Sequence, residues 1–307
     1  MGTNTSGQHI TLLLGAYGTA GLAYLPDQLA SLKAQSHEAW SLIVSDDSAP
    51  ELEALVGDFA ADVSQAVTYQ AGPGQGFAAN FMAMLRNAPA GYLAFADQDD
   101  IWREDKLARA VATLKGVEGP ALYTGRVTYW EGDTKRPEPP WPRQPSFENA
   151  LIENVARGNT IVMNPQAAAL MRDAAASVGR VFAHDWLCYL VVSGAGGSII
   201  CDPGAPVLDY RQHGDTQIGA GTGAKAQVAR KRAVLRGAFR ARLDDNVAAL
   251  EACADLLTPQ NRDTLHRFAQ ARRAGWAGLP TLARLGLYRQ RPQGTLGFWG
   301  ATLLGRA

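Results

Sequence analysis

The sequence predicts an α/β fold with a mostly parallel central sheet, flanking helices and a helical C-terminal extension. Two observations predict the sheet: apolar, β-rich runs alternate with helix-like stretches, and turn-forming residues stand between them. Such alternation is typical of parallel strands joined by crossover helices. A charge asymmetry separates the extension, because residues 1–222 contain 14 Lys/Arg and 24 Asp/Glu, whereas residues 223–307 contain 15 and 5. We therefore expect a domain over residues 1–222 and a basic helical region over residues 223–307.

Strands and helices alternate regularly over the first hundred residues. The strands are predicted at residues 9–14, 41–44, 66–70 and 92–96, and the helices at residues 24–34, 51–61 and 77–87. An Asp-Asp-Ser-Ala-Pro stretch precedes the second helix, and a Gly-Pro-Gly-Gln-Gly stretch precedes the third. Both are turn signals that mark helix starts. The loops after these strands should converge at one edge of the sheet, where open α/β sheets bind ligands.

The pattern continues beyond residue 100 and then changes to helices alone. We predict a helix at 103–114, a strand at 121–130, a surface excursion at 131–145, a helix at 146–155, a strand at 161–163 and a helix at 165–177. The uncharged stretch 186–201 contains three glycines and is too short for a membrane span, so it predicts a core helix, a turn and a strand. A glycine-rich hinge or lid is predicted at 219–223, and basic amphipathic helices are predicted at 224–257 and 260–273.

Cysteine usage and the N-terminus favour a reducing compartment. Three widely spaced cysteines suggest neither a disulfide framework nor a metal cluster, and we expect them to be buried. The first residues are polar and lack a secretory signal, which favours a cytoplasmic location.

Three carboxylates stand directly after the fourth strand, at Asp97, Asp99 and Asp100. Like charges this close together cost free energy unless a cation neutralises them, and hard oxygen ligands suit Mg²⁺ or Mn²⁺. Asp99 or Asp100 could instead cap the helix that follows. Capping uses one carboxylate and leaves the others unexplained, so the cluster predicts a metal site, with a metal diphosphate as the favoured ligand.

Six short motifs occur in a fixed order between residues 10 and 219. They are Ser45-Asp46-Asp47-Ser48, Gly76-Phe77-Ala78-Ala79-Asn80-Phe81, Asp97-Gln98-Asp99-Asp100-Ile101-Trp102, Gly158-Asn159-Thr160, His184-Asp185-Trp186 and Tyr210-Arg211-Gln212-His213-Gly214. Together they resemble family 2 glycosyltransferases of the GT-A fold, and within these the bacterial rhamnosyltransferase-like enzymes. The chain departs from the family in its first loop, Gly15-Ala16-Tyr17-Gly18 instead of the usual Tyr-Asn-Gly, and at residues 47–49, Asp-Ser-Ala instead of Asp-Gly-Ser.

The resemblance implies a metal and diphosphate site that uses Mg²⁺ or Mn²⁺. It makes Asp99 the metal ligand and Asp97 its partner, with Asp100 supporting them. His213 would add a metal ligand or phosphate contact, and Arg211 would clamp the diphosphate. The alternative for the last two residues is a structural turn that closes the domain.

The resemblance also implies a nucleoside site. Asp47 would accept the imide N–H of a pyrimidine base, and Ala16 and Tyr17 would bracket that base, which favours a UDP- or dTDP-linked donor. Asn80 would face the donor site. A turn or cap role is the alternative for Asp47.

A catalytic base is implied at Asp185. A carboxylate there would take the proton of an acceptor hydroxyl as its oxygen attacks the anomeric carbon, and a single in-line displacement inverts that centre. Arg157 and Asn159 would lie near the sugar or the acceptor. His184 would contact the substrate or act in catalysis directly, orient Asp185 or tune its pKa, or only cap the following helix. Trp186 would line the sugar pocket or pack in the core.

The implied activity is a metal-dependent, inverting transfer of a sugar to a glycan or lipid-linked acceptor of a bacterial surface polysaccharide. The favoured donor is dTDP-L-rhamnose. A nucleotidyltransferase is one alternative, but residues 15–21 contain no basic residue where that class carries its signature. A non-catalytic binding protein is another, opposed by the retained Asp99 and Asp185.

Partners of the C-terminal region are expected from its charge. The basic helices would hold the enzyme at the inner face of the cell membrane, or they would pack on the acidic domain or form an oligomer interface. No nucleic-acid-binding module is recognised.

Overall fold

The computed structural model describes residues 8–48, 52–212 and 237–307. Its strands in chain order are β1 Ile10–Ala16, β2 Trp40–Asp46, β3 Val67–Ala71, β4 Tyr92–Asp97, β5 Ile101–Trp102, β6 Ala121–Thr124, β7 Val127–Glu131, β8 Thr134–Pro137, β9 Val162–Met163, β10 Ser198–Cys201 and β11 Leu208–Arg211. The helices are α1 Gly18–Lys33, α2 Glu53–Asp62, α3 Phe77–Asn87, α4 Lys106–Leu114, α5 Phe147–Ala150, α6 Pro165–Ser177, α7 His184–Gly194, α8 Ala238–Ala252, α9 Pro259–Arg273, α10 Leu279–Arg284 and α11 Pro292–Leu303.

Seven strands form a central sheet in the order β10-β6-β9-β4-β1-β2-β3. The paired strands are parallel except that β9 runs antiparallel to both of its neighbours. The register places Gly15 of β1 beside Asp97 of β4 and Ala16 of β1 beside Asp46 of β2. The predicted α/β fold is therefore confirmed, and the strand ends that carry the candidate motifs lie at one edge.

A second sheet of four strands, in the order β5-β11-β7-β8, borders this edge. The single strand predicted at 121–130 is instead two strands, β6 in the central sheet and β7 in the second. Gly125 stands at the change of sheet, and a Cβ there would lie 2.6 Å from a methyl carbon of Val207. The predicted surface excursion contains the exposed strand β8, and the helix predicted at 146–155 is the single turn α5.

Two hydrophobic clusters cover the two faces of the central sheet. One is built on α1, α2 and α4, and the other on α3, α6 and α7. The helices of the C-terminal region join the second cluster through buried side chains such as Leu243, Leu250, Leu265 and Phe268. Burial of one leucine or phenylalanine contributes about 1.5–3 kcal/mol. The described C-terminal helices thus pack on the domain, which is one of the arrangements expected from sequence.

Cys188 and Cys253 are buried, as expected, whereas Cys201 is only half-buried; all three are free cysteines. Across the three described ranges, no helix is both long enough and apolar enough to cross a bilayer.

Candidate functional site

The aspartate cluster lies where β4 leaves the central sheet. Asp97 is the last residue of β4, and Asp99 and Asp100 follow in the adjoining turn. Burial raises the pKa of Asp97, and the neighbouring charges of Asp99 and Asp185 raise it further. Because carboxylates that repel each other favour a bound cation, the electrostatics agree with the metal role expected for Asp97 and Asp99.

Asp100 has a different environment from its two neighbours. It is fully buried, and Asn159 Nδ2 donates a hydrogen bond of 2.7 Å to Asp100 Oδ2. Burial raises the pKa of Asp100 well above its ordinary value, as do the charges of Asp97 and Asp99. The residue before α4 is Asp105, so Asp100 does not cap that helix. Asp100 is therefore the buried member of the cluster.

A buried lysine that sequence reasoning missed contacts the same residue, Asn159. Lys106 has no exposed surface, its Nζ donates to the Asn159 carbonyl at 2.6 Å, and it lies 2.8 Å from the centroid of the Trp102 ring. Burial lowers the pKa of Lys106, and the charges of Asp100 and Asp97 oppose that shift. The sequence signal for this burial is the position of Lys106 on the same face of α4 as Leu107, Ala110 and Leu114.

One 3₁₀ turn, Gly158–Thr160, joins the aspartate cluster to the predicted base. Asn159 contacts Asp100, and the neighbouring Gly158 N–H donates to Asp185 Oδ2 at 3.1 Å. The Trp186 N–H donates to Asp185 Oδ1 at 2.6 Å. Burial raises the pKa of Asp185, and these two backbone hydrogen bonds partly offset the rise. The turn therefore fixes Asp100 and Asp185 relative to each other.

The first loop is held by a residue that sequence reasoning also missed. The Tyr17 N–H donates to Gln98 Oε1 at 2.8 Å, and Gln98 Nε2 donates to the Tyr17 carbonyl at 2.9 Å. The Gly18 N–H donates to Ser48 Oγ at 2.9 Å. With its backbone fixed, Tyr17 leaves 55% of its surface exposed at the strand edge. Ala16 is buried and contributes its carbonyl, which accepts from the Asp47 N–H at 2.9 Å.

Asp47 organises the glycine-rich loop before α3. Its two carboxylate oxygens accept from the N–H groups of Gly74 and Gly76, each at 2.6 Å. Both glycines have positive φ, 67° and 90°, which explains the residue type at these positions. A carboxylate oxygen has two acceptor sites, so Asp47 keeps the capacity to accept from a base.

Asn80 ties α3 to the end of β2. Its Nδ2 donates to the Ser45 carbonyl at 2.8 Å, and Ser45 Oγ donates to Asn80 Oδ1 at 2.6 Å. Asn80 is buried and both of these hydrogen bonds go to Ser45, so its side chain positions the end of β2.

His184 and Trp186 belong to the core and not to the wall of a cleft. The His184 ring stacks on Phe81 with centroids 3.9 Å apart, and burial lowers its pKa to about 3. Neither ring nitrogen has a hydrogen-bond partner within the described ranges. Trp186 is buried and donates from Nε1 to the Ala150 carbonyl at 2.7 Å. The structure therefore corrects the expected substrate contacts of both residues. His184 packs among apolar side chains, and the Trp186 side chain is bound to a backbone carbonyl.

Two arginines expected at the substrate already have carboxylate partners. Arg157 lies 2.8 Å from Glu138, a residue not foreseen from sequence. Arg211 lies 2.8 Å from Asp27, with its guanidinium 4.7 Å and 4.8 Å from the ring centroids of Tyr24 and Trp130. The predicted ligand His213 and the predicted hinge at 219–223 lie outside the described residues.

The donor set can be tested against the expected cation. In the described ranges no three His, Cys, Asp or Glu side chains gather as a complete metal site. Mg²⁺ and similar ions are commonly held by one or two carboxylates together with substrate phosphates and water. Asp97 and Asp99 supply that number of hard ligands, so the residues fit a cation that arrives with a diphosphate.

Solved structures share this architecture. The complex of S. aureus TarS 1-349 with UDP-GlcNAc aligns with a TM-score of 0.53 and 14% identity, covering 92% of this chain and 93% of that one. The mannosyltransferase PcManGT from Pyrobaculum calidifontis, in complex with GDP-Man and Mn²⁺, aligns with a TM-score of 0.51 and 20% identity, covering 97% and 85%. At these identities the likeness shows the fold.

Two known proteins are similar to this chain in sequence. The dTDP-rhamnosyl transferase RfbG of Shigella flexneri is 23% identical over 220 residues, which is 68% of this chain and 75% of the relative. The succinoglycan biosynthesis protein ExoM of Rhizobium meliloti (strain 1021) is 29% identical over 175 residues, 57% of this chain and 55% of the relative. The model of the family "Glycosyl transferase family 2" matches residues 15–179, more than half of the chain. With that match and the shared fold, the chain belongs to glycosyl transferase family 2 and is a glycosyltransferase.

Proposed function

We propose that this enzyme transfers a sugar, with L-rhamnose as the best candidate, from a dTDP- or UDP-linked donor to a hydroxyl of a glycan or lipid-linked acceptor. The product would be part of a bacterial surface polysaccharide, and the transfer would invert the anomeric centre. The observation that carries this proposal is the turn Gly158–Thr160, which contacts the aspartate cluster through Asn159 and the base Asp185 through Gly158. Donor phosphates and acceptor hydroxyl would thus be bound by one rigid unit.

The donor nucleoside would lie between the first loop and the glycine-rich loop. Tyr17 offers an exposed ring for stacking, and Asp47 offers acceptor capacity for a ring imide N–H. Both are held by backbone hydrogen bonds, so little ordering is needed when the base binds. A relative named as a dTDP-rhamnosyl transferase supports the pyrimidine donor and the sugar.

Asp97 and Asp99 would hold Mg²⁺ or Mn²⁺ against the donor diphosphate, with His213 as a further ligand and Arg211 on the phosphate side. A cation there neutralises the charge that develops on the departing nucleotide. The presence of Mn²⁺ with GDP-Man in a structural neighbour supports this assignment. Asp100 and Lys106 are fully buried, so they would support the cluster without contacting the substrate.

Asp185 would remove the acceptor proton. The acceptor oxygen forms its bond to the anomeric carbon as the bond between that carbon and the diphosphate oxygen breaks. The proton passes to the Asp185 carboxylate, and the electron pair leaves with the nucleotide. Backbone N–H groups contact both carboxylate oxygens, so its orientation is fixed before the acceptor arrives. Arg157, which directly precedes this turn, would border the sugar and acceptor, while the buried Asn159 would act by holding Asp100.

A donor screen tests the proposal. Hydrolysis and transfer would be measured with UDP-, dTDP- and GDP-sugars, with and without Mn²⁺. We expect turnover with dTDP- or UDP-sugars, dependence on the cation, and loss of at least a hundredfold in Asp99→Ala and Asp185→Ala. The exposed α6 variant Asp173→Ala is the matched control. Preference for a GDP donor would refute the nucleoside assignment, and unchanged turnover in either aspartate variant would refute the role of that residue.

A further inference from the structure

The C-terminal end of the chain has a one-sided charge. Asp263 is its last acidic residue, and residues 264–307 contain seven arginines. In the described ranges Arg267, Arg272, Arg273 and Arg289 pair with carboxylates, so the attraction for anionic partners falls to the other three arginines. That attraction weakens within a distance of about 10 Å at 0.1 M salt.

The same region exposes apolar side chains. Six large hydrophobic residues are exposed in the described ranges, and four of them, Trp276, Leu296, Leu303 and Leu304, lie near the C-terminus. Leu296 is 72% exposed and Leu304 is 65% exposed. A single exposed leucine requires no explanation, but a group on one element indicates a binding surface.

Helix α11 and Leu304, the residue that follows it, present three of these side chains on one side. Its twelve residues include no charged side chain. Leu296, Leu303 and Leu304 are seven and eight positions apart, and at 3.6 residues per turn they lie on the same side, with the exposed Gly297 and Gly300 between them.

The other side of α11 is fixed in the core. It buries Phe298 and Ala301, and the Phe298 ring lies 6.5 Å from that of Phe239 in α8. The helix therefore holds its exposed leucines in place.

Arginines border this face at both ends. Arg291 is exposed and immediately precedes α11, and Arg306 is exposed three residues after its end. Arg240 donates from Nη1 to the Gly305 carbonyl at 3.3 Å, with 57% of its side chain exposed. We name Leu296, Leu303, Leu304, Arg240, Arg291 and Arg306 the C-terminal docking face.

We propose that the C-terminal docking face binds an anionic lipid surface, with the leucines at the boundary of the acyl chains and the arginines on the lipid phosphates. An apolar helix face bordered by cations is the arrangement that such a surface selects. A second copy of the chain is disfavoured as occupant, because the six residues of the face include no carboxylate that could pair with the arginines of another copy. This inference rests on the proposed function only in that a lipid-linked acceptor would be presented at the same surface.

Co-sedimentation of the full chain with vesicles tests the inference. Phosphatidylcholine vesicles with and without about a third phosphatidylglycerol would be compared at low and high salt. We expect binding that requires phosphatidylglycerol and weakens with salt. The partition coefficient should fall about tenfold or more in Arg291→Gln/Arg306→Gln and in Leu296→Gln/Leu303→Gln. Lys115→Gln/Arg180→Gln, which removes two exposed cations of the catalytic domain, should stay within twofold of the unmodified chain.

Equal binding to neutral vesicles, or unchanged binding in both face variants, would overturn the inference. Self-association that disappears in Leu296→Gln/Leu303→Gln without vesicle binding would assign the face to a second copy. Donor hydrolysis without vesicles should be unchanged in all these variants. A failure of the sugar-transfer proposal would appear in that hydrolysis assay and not in the vesicle assay.

Discussion

Gln98 and Tyr17 exchange two hydrogen bonds, with the Tyr17 N–H donating at 2.8 Å and the Gln98 amide donating at 2.9 Å. Gln98 stands between Asp97 and Asp99, the two proposed metal ligands. One side chain therefore joins the loop proposed for the nucleoside to the turn proposed for the diphosphate. A donor that occupies both would find their separation already set.

Replacing Gln98 should impair donor binding. Gln98→Ala removes both hydrogen bonds, which are worth about 0.5–1.5 kcal/mol each, and roughly a tenfold rise in donor KM is expected. Gln98→Glu should behave similarly, because a carboxylate cannot donate to the Tyr17 carbonyl. Steady-state kinetics with varied donor would measure the effect. Gln166→Ala, an exposed glutamine at the start of α6, is the control. A donor KM within twofold of the unmodified enzyme would refute the positioning role of Gln98.

Lys106→Met should destabilise the fold. The substitution keeps an unbranched side chain but removes the Lys106 Nζ donor from the buried Asn159 carbonyl. A buried acceptor left without its donor costs about 1–3 kcal/mol. Denaturant unfolding would measure the loss, and Lys115→Met, at the exposed end of α4, should change stability by less than about 0.5 kcal/mol. Equal stability of the two variants would show that the hydrogen bond from Lys106 does not stabilise the fold.

His184 should make the protein sensitive to acid. Its pKa is about 3 in the folded state, while an unfolded histidine has a pKa of about 6.5. Between these values the unfolded chain binds the extra proton, so stability rises with pH and is lost as the pH falls from about 6.5 toward 3. His184→Leu should flatten this slope, measured by denaturant unfolding from pH 4.5 to 7.

Activity separates the two roles considered for His184. If the side chain only packs in the core, His184→Leu should keep donor turnover within a few fold. The control His266→Leu removes an exposed histidine of α9 and should leave the pH slope in place. An unaltered slope with a large loss of turnover would return His184 to the substrate site.

Asp185 should give the enzyme an acid limb above the ordinary range of an aspartate. The base acts only when ionised, and burial raises its pKa, so kcat/KM should fall as the pH drops through a value above about 4. A pH–rate profile at saturating Mn²⁺ would show the limb. Asp185→Asn should lose about 10²–10⁴-fold in kcat, whereas the exposed Asp173→Asn should not. A limb that persists in the residual activity of Asp185→Asn would belong to another group.

Local patterns were sufficient for several elements. The helices α3 and α6 begin and end where the sequence predicts, and α6 carries both an Asn164 cap and a proline in its first turn. The convergence of the strand-end motifs was also predictable, because a parallel sheet brings such ends to one edge. Family membership further disfavours the alternatives of a nucleotidyltransferase and a binding protein.

Other features depend on tertiary contacts that local sequence patterns do not reveal. The position of Asp100 depends on Asn159, which lies 59 residues further along the chain, and Gln98 reaches Tyr17 across 81 residues. The division of 121–130 between two sheets depends on Val207 packing at Gly125. His184 and Trp186 sit beside the predicted base in sequence, yet helix geometry directs their side chains into the core.

The family match ends at residue 179, but the packing does not end there. A Cβ on Gly194 would lie 2.6 Å from Leu257 Cδ2, and the Thr258 N–H donates to the Gly194 carbonyl at 3.0 Å. A gene fragment that ended with the family match would lack α7, which carries Asp185, and the helices that pack on it. In this chain the segment matched by the family model is shorter than the unit that folds, and expression of the protein should include the whole folded unit.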